Sequence, residues 1–252
     1  MQAVLLAAGM ATRLRPLTNA CPKCLLPVNG RSILDRALDV LGGAGLRDVV
    51  IVTGFHEEMI RAAVARRTDG VRVEWISNAR YAETNNAYSL REAEPAVHGA
   101  FLLVDSDILF PLELVRALQE CPHRPCLALD RHPCGPEEIK VLVDPDGFLT
   151  DIGKDVAPER AAGESIGVEI FSAEARDELF DTLRRRVGDQ GRENEFYEAS
   201  FREMIGRGTR FLAVDTSRFP AMEIDSAEDL ERAGLAFGRV PPVSSGPAPR
   251  RS

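Results

Sequence analysis

The sequence predicts a doubly wound α/β domain, and three observations carry that prediction. Through the first half, short apolar runs alternate with segments of helical spacing. The runs at residues 4–8, 49–52 and 100–104 are apolar at odd and even positions alike, as in strands covered on both faces. Glycine, proline and aspartate gather between segments, at Gly42-Gly43, Gly45 and Asp144-Pro145-Asp146-Gly147. Together these predict right-handed βαβ units and a Rossmann-like domain with a mixed central sheet and a small β-rich subregion.

At 252 residues and 44% hydrophobic, the chain bounds one large α/β domain, with or without an appendage. Its net charge of −8 leaves no basic excess to displace counterions, which argues against nucleic acid as a partner. Small anionic substrates are left to local basic groups. No segment reaches the roughly 20 apolar residues that cross a membrane. The first apolar run has no basic region before it and leads directly to Arg13 and Arg15, so it reads as a core strand rather than a signal peptide. The five cysteines are an odd, scattered set. Cys21-x-x-Cys24 has a spacing that zinc sites use, but no second pair completes one; reduced thiols in a cytoplasmic chain are the simpler account.

In chain order, the first strand ends at Ala8-Gly9-Met10-Ala11, where small residues let backbone N–H groups approach a ligand. Such a turn sits at the carboxyl edge of the sheet, where open α/β sheets bind ligands. Arg13 can fork onto two phosphate oxygens and Lys23 adds a point charge. On residue types alone, a nucleoside triphosphate site and a solvated basic loop are equally served. A helix is expected over 31–41, a strand over 48–53, a helix over 56–67 and a strand over 71–77. Residues 78–90, rich in Asn, Thr and Ser, suit a nucleotide base edge, although on residue types alone capping and turn formation is the commoner account. The strand expected over 100–107 ends in Asp105 and Asp107, which alternation puts on one side. Such a pair calls for water, a base or a metal, and Mg²⁺ fits its oxygen donors.

Beyond it, a helix over 111–119 and strands over 126–130 and 138–143 are expected, the last forming a hairpin with 148–150. Helices over 172–186 and 194–206 and a strand over 209–214 follow. Asp225 precedes Ser226 and an acidic turn, so capping explains it locally. From residue 239 on, proline, serine and arginine dominate, as in a disordered tail or interdomain linker.

Leu6-Ala7-Ala8-Gly9-x-x-x-Arg13-Leu14-x-Pro16-Leu17-Thr18 with Pro22-Lys23-x-Leu25 resembles the signature of the sugar-nucleotidyltransferase superfamily. Many members carry a second glycine where this chain has Ala11. Thr84-Asn85-Asn86-x-Tyr88-Ser89-Leu90, Glu138-Ile139-Lys140-Val141, Gly163-Glu164-Ser165-Ile166-Gly167-Val168 and Met222-Glu223-Ile224-Asp225 narrow the resemblance to its cytidylyltransferases, which act on phosphocholine, inositol phosphate or small phosphonates. The resemblance covers about residues 1–235 as one nucleotidyltransferase domain, leaving 236–252 as tail or linker. It implies that Leu6, Ala8, Gly9, Arg13 and Lys23 hold the nucleotide, with Arg13 and Lys23 acting catalytically on its phosphates. It implies further nucleotide contacts from Asn78, Asn85, Asn86, Ser89 and Asp105. Asp107 and Asp225 become Mg²⁺ ligands. Lys140 is the first candidate for the acceptor phosphate or phosphonate and Lys154 the second, with Glu164, Ser165 and Tyr197 beside them.

The implied reaction takes CTP and a small anionic acceptor. A choline headgroup calls for an aromatic cage, and Trp75, Phe110 and Tyr197 offer little of one. With its tail, the chain resembles the cytidylyltransferase domain of the bifunctional fosfomycin-pathway enzyme, which points to 2-hydroxyethylphosphonate and to a second catalytic domain tethered beyond the linker. Phosphocholine, inositol phosphate, or a sugar phosphate with UTP or dTTP, are the alternatives. A non-catalytic nucleotide-binding domain is a further reading, opposed by the presence of Arg13, Lys23, Asp107 and Asp225. A dinucleotide-binding oxidoreductase lacks support, because the first turn has no G-x-G-x-x-G.

Overall fold

The computed structural model describes residues 1–238. Its first half builds the parallel part of the sheet. β1 (Gln2–Ala7) is followed by the short hairpin β2 (Pro27–Val28) and β3 (Arg31–Ser32), then α1 (Ile33–Gly43), β4 (Asp48–Thr53), α2 (Glu57–Ala65), β5 (Arg72–Ser77), α3 (Asn86–Glu92) and β6 (Phe101–Asp105). Strands β6, β1, β4 and β5 lie side by side and parallel. The second half adds β7 (Ile108–Leu109), α4 (Leu112–Glu120), β8 (Cys126–Asp130), β9 (Lys140–Val143), β10 (Leu149–Gly153), β11 (Gly163–Phe171), α5 (Ala173–Leu183), α6 (Glu198–Gly206), β12 (Leu212–Asp215), β13 (Met222–Glu223) and α7 (Ala227–Ala236). β11 joins β6 antiparallel and also pairs antiparallel with β8 and β9, so the nine-stranded sheet is mixed.

Strand alternation divides the core in two. On β1, Val4 and Leu6 face a core with Leu90, Phe101, Phe171 and Phe201, whereas Ala3, Leu5 and Ala7 face one with Leu34, Leu38, Leu114 and Ile170. The β1 residues from Ala3 to Ala7 are all buried, which is why the run lacks polar positions. A third, smaller cluster of Leu14, Leu26, Ile33, Leu109 and Ile224 seats the first loop against β7 and β13.

Most boundaries differ from the sequence reading by a few residues, and three of the differences shape the cleft or its surroundings. The strand expected to 107 stops at Asp105, and Ser106 and Asp107 form a turn. The expected helix over 172–186 is α-helical only to Leu183 and continues as a π-helical turn, Arg184–Asp189. The helix expected from 194 begins at Glu198, because Asn194–Tyr197 leave the helical path to meet the loop before α3. The β9–β10 hairpin forms with Asp144 Oδ1 accepting from the N–H groups of Asp146 and Phe148. Residues 239–252, where most of the tail or linker is expected, lie outside the described residues.

Candidate active site

A cleft of about 340 Å³ opens at the carboxyl ends of β1 and β6, the edge at which open α/β sheets bind ligands. It is lined by Leu6, Ala8, Gly9, Arg13 and Lys23, expected to hold a nucleotide, and by Asn85, Asn86 and Ser89 around the start of α3. A Cβ built on Gly9 would meet no atom of the chain within 4 Å, so that space belongs to the cleft. Ala11 holds a left-handed turn at φ 47°, a conformation that costs a residue with a Cβ about 1 kcal/mol.

Three carboxylates meet at the bottom of the cleft. Oxygens of Asp107, Glu223 and Asp225 all lie within 4.8 Å of one another. The short β7–β13 ladder brings them together: Glu223 pairs with Ile108, and the Ile224 N–H donates to the Asp107 carbonyl at 3.1 Å. Lys23 Nζ sits between them, donating to Asp107 at 2.8 Å and to Asp225 at 2.6 Å. Arg13 reaches Asp225 from the rim at 2.7 Å. Burial pulls the Lys23 ammonium down, but Asp107 and Asp225 outweigh it and hold its pKa above the ordinary value. Burial likewise raises Asp225, and Lys23 with Arg13 reverses that, leaving its carboxyl below the usual range. Glu223 is exposed overall, yet crowding in the cleft and the charges of Asp107 and Asp225 push its carboxyl up. This oxygen set fits Mg²⁺, a hard cation held through carboxylates and phosphates.

Asp105 is on the cleft wall too. Its carboxylate accepts from the Tyr197 hydroxyl at 3.0 Å. Burial and the neighbouring Asp107 and Glu198 raise its pKa well above the ordinary value. Gly167 makes room for it. At φ +70° this glycine passes so close that an added Cβ would meet Asp105 Oδ2 at 2.8 Å.

The cleft is also lined by the expected acceptor residues Lys154, Glu164 and Ser165, with Glu137, Phe196 and Glu198. Lys154 lies 3.5 Å from Glu137 and 5.0 Å from the Phe196 ring centroid. Glu164 pairs with His132 at 3.1 Å, and burial lifts its carboxyl despite that partner. Ser165 donates to the buried Glu169 at 3.3 Å.

Three expected residues do not reach the cleft. Lys140 is 0% exposed, and its ammonium donates to the carbonyls of Gly135, Pro136 and Glu138 at 3.1–3.2 Å. It is a strut under its own loop, not a free cation for an acceptor. Asn78 is buried behind α3, where its amide donates to Thr84 and Ser89 at 3.1 and 3.0 Å. Tyr197 is also buried, with its hydroxyl on Asp105 and its N–H on Asn86 Oδ1 at 3.0 Å, so it reaches the cleft through those two side chains.

The description of the MobA-like NTP transferase domain matches residues 3–199. The chain belongs to this family. Over 235 residues it is 33% identical to the choline-phosphate cytidylyltransferase of Streptococcus pneumoniae, covering 92% of this chain and 96% of that one. Over 251 residues it is 30% identical to the CMP-5'-(3-aminopropyl)phosphonate synthase of Streptomyces rubellomurinus, covering 94% of this chain but 39% of that longer protein. These relatives place the MobA-like domain in the cytidylyltransferase branch. In fold it is similar to the inositol-1-phosphate CTP transferase of T. maritima, with a TM-score of 0.78 at 22% identity over 93% of this chain and 94% of that one.

Two residues of this MobA-like cleft were not assigned from the sequence. Glu223 stands two positions before Asp225 in an extended segment, and that parity was the available signal. The stretch Glu195-Phe196-Tyr197-Glu198 reads in sequence as one aromatic and one acid near the acceptor, but it does not say which acid, and nothing local marks Glu198 as the buried one. Among the described residues, no helix is long and apolar enough to cross a membrane.

Proposed function

We propose that this chain transfers CMP from CTP to a small phosphonate or phosphate acceptor and releases pyrophosphate. The observation that carries the reading is the meeting of Arg13 and Lys23 with the Asp107, Glu223 and Asp225 carboxylates in a cleft that Lys154, Glu164 and Ser165 also line. In this reading the triphosphate would lie by Arg13 and Lys23 and the acceptor by Lys154, Glu164 and Ser165, meeting at the carboxylates.

An oxygen of the acceptor attacks the α-phosphorus as the bond to the α–β bridging oxygen breaks, and the electron pair leaves with pyrophosphate. The acceptor is already an oxyanion at neutral pH, so no general base is required. The protein's part is positioning and charge neutralisation. Lys23 is fixed by its two carboxylates and gives a positive charge at the junction. Arg13, whose side chain is 62% exposed, can exchange Asp225 for phosphate oxygens. Asn85, Asn86 and Ser89 would orient the base and ribose end. Asp107, Glu223 and Asp225 would hold Mg²⁺, which when bound supplies neutralisation of charge on the α-phosphate.

A small phosphonate is favoured as acceptor by the relatives named for aminopropylphosphonate and for 2-aminoethylphosphonate, the latter from Lancefieldella rimae at 27% identity. The test is a pyrophosphate-release panel with Mg²⁺. It crosses CTP, UTP, dTTP and ATP with hydroxyethyl-, aminoethyl- and aminopropylphosphonate, phosphocholine, inositol phosphate and glucose phosphate. Release with CTP and one of the first four acceptors supports the reading. Preference for UTP or dTTP removes the cytidylyl assignment, and silence with every pair favours a non-catalytic nucleotide-binding domain.

A further inference from the structure

Between the π-helical turn ending at Asp189 and the start of α6 at Glu198 the chain has no regular element, yet a loop more than a hundred residues away pins it. The two terminal guanidinium nitrogens of Arg80 donate to the two carboxylate oxygens of Glu193 at 2.6 Å each. The Asn85 N–H donates to the Glu193 carbonyl at 2.9 Å, and the Asn85 side-chain amide to the Asn194 carbonyl at 3.4 Å. The Tyr197 N–H donates to Asn86 Oδ1 at 3.0 Å. Behind the segment, Arg186 and Arg192 hold Glu195 at 2.7 and 3.2 Å.

Arg80 is a fixed base for this grip. Its N–H donates to the side chain of the buried Asn78 at 2.8 Å, and its carbonyl accepts from the Glu83 and Thr84 N–H groups and the Thr84 hydroxyl. Its guanidinium also lies over the Tyr88 ring, 5.3 Å from the centroid. A planar fork against a carboxylate fixes direction as well as distance, which an ammonium in its place would not.

Arg80 and Glu193 stand outside the cleft lining, but what they join lies in it. The gripping loop brings Asn85 and Asn86 to the cleft, and the gripped segment runs on into Phe196 and Glu198, which line it too. Lys154 in turn lies against the Phe196 ring. Transfer needs the acceptor oxygen in line with the α-phosphorus, and a misplacement of about 1 Å in such a site costs on the order of 10²-fold in rate.

We propose that Arg80 and Glu193 are a positioning pair for the transfer: their ion pair locks the 193–198 segment onto the 80–86 loop and so sets Phe196, Glu198 and Lys154 relative to Asn85 and Asn86. This rests on the cytidylyltransferase reading and adds to it two residues that act through others.

The test uses the full chain with Mg²⁺, CTP and the acceptor that the pyrophosphate-release panel ranks first. It compares Arg80→Met, Arg80→Lys, Glu193→Gln and the Arg80→Met, Glu193→Gln double variant. Arg80→Met and Glu193→Gln are each expected to lose about tenfold or more in kcat at saturation, with the CTP dissociation constant within about threefold of wild type. The double variant is expected to lose no more than the worse single one, because the second change breaks nothing further. Arg80→Lys keeps the charge without the fork and is expected to stay closer to Arg80→Met than to wild type. Hydrogen exchange gives a readout apart from turnover: peptides covering 190–198 should exchange about tenfold faster in the two single variants, with β1 and β6 unchanged. Glu193→Gln carries the comparison if Arg80→Met does not fold. Wild-type kcat in the single variants overturns the positioning role and leaves cytidylyl transfer intact. Additive losses in the double variant do the same, and so does a fall in Tm with kcat unmoved. A wild-type chain silent with every nucleotide and acceptor overturns the reaction itself, and the proposal with it.

Discussion

The Lys23 ammonium lies 2.8 Å from the Asp107 carboxylate, although 84 residues separate them, and reaches Asp225 in the same position. One side chain of the first loop therefore ties the turn after β6 to the segment after β13. Its removal takes away a charge at the junction and leaves three acids facing one another. Lys23→Ala is expected to lower kcat by about 10²–10³-fold, the usual cost of losing one preorganised charge donor. It should also lower Tm in chelator, with Mg²⁺ recovering most of the loss. Thermal scans with and without Mg²⁺, beside steady-state kinetics, check both parts; an unchanged Tm in chelator would show that the carboxylates do not repel as described.

The three carboxylates should not be equivalent. Asp107 and Asp225 are anchored by Lys23, whereas Glu223 is exposed and has Asp107 and Asp225 as its charged neighbours on the acid side. Asp107→Ala is expected to abolish turnover at every Mg²⁺ concentration. Glu223→Gln keeps its shape and should retain activity but require about tenfold more Mg²⁺ for half-maximal rate, since each lost ligand weakens a divalent site without dismantling it. Mg²⁺ titrations of the two variants distinguish the roles, and identical behaviour would count against this ranking.

Lys140 was the leading sequence candidate for the acceptor anion, and its burial reassigns it. Lys140→Met removes the donor to three carbonyls of the 135–138 loop, at a cost of roughly 3 kcal/mol. Chemical denaturation should report that loss. Below the melting range, kcat at saturating acceptor is expected to stay within about threefold of wild type. A rise of 10²-fold in acceptor KM with no loss of stability would restore the phosphate-binding role.

Much of the fold was legible because its signals are local. The apolar run of β1 ends at Gly9, and one short stretch carries both the strand and the turn that opens the cleft. Asp107 could be placed near the end of a readable strand, whereas Lys23 was placed through the resemblance carried by Pro22-Lys23-x-Leu25. What was illegible depends on how distant segments fold back. The alternation in β9 does not say that residues 135–138 would curl their carbonyls over Lys140. Tyr197 was read as a cleft residue, but residues 193–197 dock on the loop before α3, with Arg80 gripping Glu193 through two bonds of 2.6 Å. That docking turns the Tyr197 ring inward to Asp105 and buries Glu198 behind it. No residue near either position announces this in sequence.

Burial of Glu198 also sets a pH dependence of stability. Desolvation pushes its carboxyl from an ordinary 4.5 up to about 7, with Lys154 only partly opposing. The folded chain therefore binds a proton there that the unfolded chain has already released. Its penalty is absent below pH 4.5, grows as pH rises through the interval to about 7, and is constant above. Asp105 and Glu169 face Glu198, and their carboxyls are raised too, so they act in the same direction. Asp225, whose carboxyl is depressed, loses its contribution only as pH falls below the ordinary 3.8 and does not interfere in this window. Glu198→Gln is expected to match wild type near pH 4 and to be more stable at pH 8 by roughly 3 kcal/mol, the free energy of ionising there a carboxyl that folding raises from 4.5 to about 7. Denaturant unfolding at the two pH values measures the difference, and a variant no more stable than wild type at pH 8 would mean that Glu198 is ionised at no cost.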